Sequence, residues 1–265
     1  MNQTRRLYPS DLTDQQWELI KGLIPVARSS GRPRTTSMRQ IMNAVFYITR
    51  TGCAWRYLPG EFPPWQTVYD YFTKWNSQGI WRNIQLHLAV RVRVSSQRSP
   101  TPSTLIIDAQ SVRAPRGQER GWDGFKKVQG RKRQIVVDTT GIIWGASVHA
   151  ANQGENRRGF EAIEDIPLVP APQRILGDYA YSKIPFNVNI YEKWGIWPET
   201  KKGAKNFAIE SNLRPTRWIV ERSFAWFNNY RRLSRDYERK ICNSLIFLYI
   251  SQIPILLSRL ISLSS

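Results

Sequence analysis

The sequence predicts an α/β protein in two parts, an all-α segment over residues 1–98 and a mixed sheet flanked by helices over 99–265. Three observations predict it. The apolar spacing is helical up to about residue 95 and strand-like beyond 104. A Ser/Pro-rich stretch, 94–103, lies between the two regimes and marks the boundary. Two short apolar runs then end in a carboxylate, at Asp108 and at Asp178. An acid at the end of an interior strand is costly unless something cationic answers it.

In the first part, 11–24 reads as a helix capped by Asp or Thr, with Trp17, Ile20 and Ile24 on its apolar side and Pro25 closing it. A basic connector, 28–36, carries Arg32 and Arg34. A second helix starts at Ser37, turns Ile41, Ala44, Val45 and Ile48 inward and ends at Thr51-Gly52. Turns at 55–59 and 62–65 are set by prolines and aromatics, and helices follow over 66–75 and from Gly79. Helices joined by short turns, with cations between aromatics, have the look of a helix-turn-helix DNA reader.

In the second part, 104–112 is a strand and 116–130, with four glycines and Lys126-Lys127, is a mobile basic loop. A hairpin follows, 134–138 and 142–148 about Thr139-Thr-Gly141. Then come a short helix at 159–166, a strand at 174–177, a helix at 184–193 and a short strand at 195–201. A long helix over 216–238 and a last one over 242–261 complete the order. Three meandering strands, then alternating helices and strands, is the ribonuclease-H-like order.

The last segment needs a decision. Residues 241–258 hold no charged side chain and approach membrane-spanning length. Asn243, Gln252 and Pro254 interrupt them, and Ser244, Ser251 and Ser258 draw a small-residue seam. A buried helix is the reading, and no membrane partner is expected. No apolar signal core follows Met1, so a cytoplasmic, nucleoid-associated protein is expected.

The formal charge is +19, which fits a polyanion, nucleic acid first. Two cysteines and two histidines exclude a disulfide framework and a Cys/His metal cluster. Any metal is therefore held by oxygen, which selects Mg²⁺ or Mn²⁺. Asp108, Asp178 and Glu221 are the candidate ligands, two on strands and one on a helix. A pair of such ions can activate a nucleophilic oxygen and stabilise a leaving one. If the helix runs over 216–238, Glu221 shares one stripe with Arg217, Asn228, Arg232 and Arg235. Asp138, Glu155, Asp165, Asp123 and Glu119 are rival acids with weaker settings.

Several motifs together carry a family resemblance. They are Leu12-Thr-Asp-Gln-Gln-Trp17, Gly31-Arg-Pro33, Arg50-Thr-Gly-Cys-Ala-Trp-Arg-Tyr-Leu-Pro59 and Phe62-Pro-Pro-Trp-Gln-Thr-Val68. They continue through Ile107-Asp-Ala-Gln-Ser-Val112, Gly130-Arg-Lys-Arg133, Val137-Asp-Thr-Thr-Gly141, Gly177-Asp-Tyr-Ala-Tyr181 and Arg217-Trp-Ile-Val-Glu-Arg222. The chain resembles bacterial insertion-sequence transposases of the DDE class, insertion-sequence family five.

The resemblance implies a ribonuclease-H-like catalytic domain with Asp108, Asp178 and Glu221 as metal ligands. It implies an enzyme that binds terminal inverted repeats of double-stranded DNA, cleaves the ends and joins them to target DNA. A homodimer or larger assembly on DNA follows from the need to unite two ends. In similar enzymes a Tyr, Arg, Glu, Lys signature surrounds the glutamate. Here Arg217 and Glu221 match, while Arg214 stands at the Tyr place and Asn228 at the Lys place. The expected DNA contacts are Arg32, Arg34, Arg131, Lys132, Arg133, Arg217, Asn228, Arg231, Arg232 and Arg235. A catalytically silent remnant acting as a repressor, or a structure-specific nuclease, are the alternatives.

Overall fold

The computed structural model describes residues 8–27, 33–116, 119–201 and 217–264. The first helix, α1 (Asp14–Ile20), starts at a capping box in which Thr13 and Gln16 satisfy each other's backbone amides. A 3-10 turn, Lys21–Leu23, continues it. In α2 (Met38–Thr51), Ser37 caps the start and Gly52 ends it. Ile41, Ala44, Val45 and Ile48 are fully buried, as their spacing requires. Then come α3 (Trp65–Ser77) and α4 (Ile80–Ser95), the latter entered through Gly79.

The sheet has six strands: β1 (Thr104–Arg113), β2 (Gly121–Asp123), β3 (Val128–Asp138), β4 (Ile143–Ala150), β5 (Arg174–Asp178) and β6 (Glu199–Lys201). Its order is β2-β3-β1-β5-β6, with β4 also on the outer edge of β3. The first strands pair antiparallel, while β1 with β5 and β5 with β6 pair parallel. The architecture is thus the expected mixed sheet flanked by helices.

Three expectations change. The stretch 116–130 is not all loop, because β2 and the first residues of β3 are cut out of it. Gly130 explains the pairing: a Cβ there would lie 1.8 Å from the Val112 carbonyl oxygen, so only glycine lets the strands close. The helix expected over 216–238 is α8 (Arg217–Phe227), followed by a separate 3-10 turn at Arg231–Leu233. Two short helices, α5 (Glu155–Arg158) and α6 (Glu161–Glu164), replace the single one expected at 159–166. The helix α7 (Ile184–Trp194) lies between β5 and β6.

Successive side chains of β3 sort the layers. Arg133 reaches the carbonyls of Leu233 and Arg235, beyond α8, whereas Lys132 and Gln134 reach Glu155 at the start of α5. Alternation along a strand puts these partners on opposite faces of the sheet.

The final helix, α9 (Ile241–Ser264), is the centre of the helical side. By length and composition it could cross a membrane, but 67% of its most apolar window is buried inside the fold. Ser244 and Ser251 of its seam are buried, donating to Asp236 and to the Leu248 carbonyl. Ser258 is exposed instead. Phe247 of α9 stacks on Phe72 of α3, and Trp55 packs against both.

The helical part is not packed as a detached body. Gln85 of α4 donates to the Ile143 carbonyl, Arg232 to the Cys53 carbonyl and Arg50 to the Asn229 carbonyl. One continuous apolar core runs from Leu12 to Leu260.

Candidate active site

Pairing between β1 and β5 ends at Ile106↔Leu176. Asp108 and Asp178 each lie two residues further on, so the two carboxylates sit at matching positions on one face, just past the point where the parallel pairing stops. Open α/β sheets bind ligands at such points. Strand β1 then runs on to Arg113 paired only with β3 among the described strands. The space that β5 leaves beside it is a cavity of about 1000 Å³.

Its walls hold Asp108, Asp178 and Glu221 together, with Asn228 just past the end of α8. The aspartates are held from their own backbone: the Ala109 amide donates to Asp108 Oδ1 (2.7 Å) and the Ala180 amide to Asp178 Oδ1 (3.0 Å). Asp178 thereby caps the 3-10 turn Tyr179–Tyr181. Glu221 is exposed on α8, a helix fixed from behind by buried Ser223, which donates to the Gly141 carbonyl.

Two further acids border the cavity that the sequence placed among weaker rivals. Glu155 lies 3.0 Å from the Lys132 ammonium and Asp123 lies 3.6 Å from it, with only 10% of the Lys132 side chain exposed. Burial works to raise the Asp123 pKa, but hydrogen bonds from Ser111 and the Lys126 amide, the Lys132 charge and the Phe125 amide hold it below the usual carboxylate value. Neither acid lies on an apolar run ending in a carboxylate, so no local pattern could have signalled them. Tyr181, fully buried behind the aspartates, donates to Gln134. Burial, then the charges of Glu155, Asp108 and Asp178, push its pKa well above its ordinary value.

Another rival, Asp138, is settled by its partners. Asp138 is fully buried and paired with Arg93, and accepts also from Thr140, Ile142 and Trp144. It holds the fold together.

Among the residues expected at DNA, Lys132 and Asn228 line the cavity and Arg231 and Arg235 are exposed. Arg34 donates to the Pro25 carbonyl. Arg32 and the Arg217 side chain lie outside what the structure describes. Three arginines are corrected. Arg131 is buried on Asp236 and the Glu238 and Arg239 carbonyls, Arg133 on the Leu233 and Arg235 carbonyls, and Arg232 on Glu238 and the Cys53 carbonyl. These bonds are made inside the protein, only Arg133 Nε being left buried without a partner, and burial lowers the Arg133 pKa to about 10. Arg232 also misses the Glu221 stripe because α8 has ended at Phe227.

Residues 99–250 match the family described as transposase DDE domain, and residues 12–85 match putative transposase of IS4/5 family. The chain belongs to the DDE transposases. Its ribonuclease-H-like sheet and its enzyme class, nuclease and strand transferase, go with that family. The putative transposase of insertion element IS402 from Burkholderia cepacia is 28% identical over 119 residues, 42% of this chain and 55% of that protein. A second IS402 product, an uncharacterized 16.2 kDa protein, is 27% identical over 39% of this chain and 73% of its own length. The uncharacterized protein y4sN of Sinorhizobium fredii is 30% identical over 39% of this chain and 76% of its own length. No solved structure matches this transposase.

The donor set suits a hard divalent ion in type, since it is all oxygen. Among the described residues, no three His, Cys, Asp or Glu side chains are grouped closely enough to hold a metal ion as they stand. The three carboxylates share a cavity rather than a point.

Proposed function

We propose that this transposase binds the terminal inverted repeats of its element, hydrolyses the phosphodiester at each end and joins the freed 3′-OH to target DNA. The observation that carries the reading is the register of Asp108 with Asp178, facing Glu221 across one cavity. Mg²⁺ or Mn²⁺, when bound, would polarise the phosphodiester and make an oxygen nucleophile reactive. Asp108 and Asp178 would hold it from neighbouring strands and Glu221 from α8. Lys132 stands at the same cavity, where it ties Glu155 and Asp123 to one another. Asn228 offers an amide hydrogen bond to the DNA, without charge.

Residues 1–98 would read the repeats and 99–265 carry the chemistry, on one shared core. Two chains or more would assemble on DNA, since two ends must meet, in the cytoplasm at the nucleoid. The test is incubation of the full chain with its own transposon-end duplex, with and without Mg²⁺, scoring cleavage and joining. Ion-dependent cutting at the end, absent in Asp108→Asn, is the expected result. Binding of the ends without any cutting would leave a repressor, and cutting of branched DNA without joining would leave a nuclease.

A further inference from the structure

A second cavity, about 640 Å³, lies away from the carboxylates, between α4, α9 and the β3–β4 turn. Arg98, Arg259, Thr140, Ser96, Ser258 and Ser262 are among its lining residues. Guanidinium and hydroxyl groups are the donors that bind phosphate oxygens.

The turn gathers these cations. Arg98 donates to Thr139 Oγ1 (3.4 Å), and Arg222 and Arg259 both donate to the Thr140 carbonyl (3.2 and 3.4 Å). The Trp226 ring is shared by the last two, its centroid 5.1 Å from the Arg222 guanidinium carbon and 4.9 Å from that of Arg259. The acid of the turn, Asp138, is already neutralised by Arg93 inside the core. Among the described residues no carboxylate stands within ion-pair distance of Arg98, Arg222 or Arg259. Burial lowers the Arg259 pKa, Asp138 opposes this, and the neighbouring Arg222 charge lowers it further. Like charges held together, with no carboxylate of the described residues at ion-pair distance, favour an anion from outside.

The place of the cluster decides which anion. Arg222 follows Glu221 directly on α8, about 100° further round the helix. One side of α8 therefore borders the catalytic cavity, and the other carries an arginine toward this turn. We propose that the groove is a second phosphate track, which takes the sugar–phosphate backbone of the same duplex whose end lies at Asp108 and Asp178. This rests on the functional reading above and adds where the duplex runs.

The test is binding of the full chain to its transposon-end duplex by fluorescence anisotropy over a range of salt. Each phosphate contact contributes about 0.9 to the slope of log affinity against log salt. Arg98→Ala, at an exposed site, and Arg259→Gln should each lower that slope by about 0.9, while Arg98→Lys keeps it by keeping the charge. Melting curves establish that the variants fold, and Arg98→Ala alone suffices should Arg259→Gln misfold. An unchanged slope in Arg98→Ala overturns the track. So does a site for small anions only, seen as stabilisation by inorganic phosphate that the variants lose with the slope intact. Wild-type protein that binds no DNA overturns the functional reading itself, and this inference with it.

Discussion

Arg93 Nη1 on α4 lies 2.6 Å from Asp138 Oδ2 at the end of β3, and both side chains are buried. This pair joins the helical part to the sheet. Arg93→Met would leave the Asp138 charge buried without its cation, at a cost of about 3–5 kcal/mol. Urea unfolding measures it. Arg39→Ala, which breaks a pair with the exposed Asp14, should cost about 1 kcal/mol or less. Equal losses in the two variants would show that the Arg93 pair is no keystone.

Asp108→Asn, Asp178→Asn and Glu221→Gln should each reduce end cleavage by about 10²-fold or more, the scale of losing one charge-stabilising group in an active site. End affinity should stay nearly unchanged, because the basic surface remains. Any one of the three cutting at the wild-type rate would remove that acid from the site.

His149 titrates against the fold. Its Nε2 faces the Gln134 amide at 2.7 Å and its Nδ1 the Ala150 carbonyl at 3.0 Å, which suits the neutral ring. Burial, opposed by the Ala150 bond and assisted by Arg158 and Lys132, pulls its pKa below 6.5. Above about pH 6.5 the ring is neutral folded or unfolded, and its contribution is complete. Below that the unfolded chain takes up the proton first, so stability falls as pH drops toward the folded pKa. His149→Gln should flatten this slope. His87, exposed and also lowered by burial and by Arg91, is the only other histidine, and His87→Gln should change the slope less. Stability curves between pH 5 and 8 decide; an unaltered slope in His149→Gln would refute the assignment.

Arg232 and Arg235 lie three residues apart and should fail differently. Arg232→Ala strands Glu238, whose pKa burial already raises against the pull of Arg232, and should cost about 3–5 kcal/mol. Arg235 is exposed, and its alanine variant should shift stability by about 0.5 kcal/mol or less. Thermal melts compare them. A stable Arg232→Ala that binds DNA poorly would return Arg232 to the DNA surface.

Much of the local structure was legible because short-range chemistry writes it. Ser37 and Gly52 bound α2 as a cap and a left-handed stop, and apolar runs ending at Asp108 and Asp178 became β1 and β5. A polar stripe that continues past Phe227 predicts one helix over 216–238, but α8 ends there and Tyr230 and Leu233 turn into the core.

The sequence by itself determined the strands, the acids that close their apolar runs and the excess of cations. Only the tertiary structure decided how each charge is answered. Arg131, Arg133 and Arg232 look like DNA contacts in a chain of charge +19, yet they are buried on carbonyls and acids between residues 233 and 239 and on the carbonyls of Cys53 and Glu119. Lys132, between two of them, points to the opposite face and meets Glu155 and Asp123 at the cavity. A guanidinium looks the same in sequence whether its partner is a phosphate or a backbone carbonyl from elsewhere in the fold. The difference lies in long-range packing, because only burial makes an unmade hydrogen bond costly enough to fix the partner.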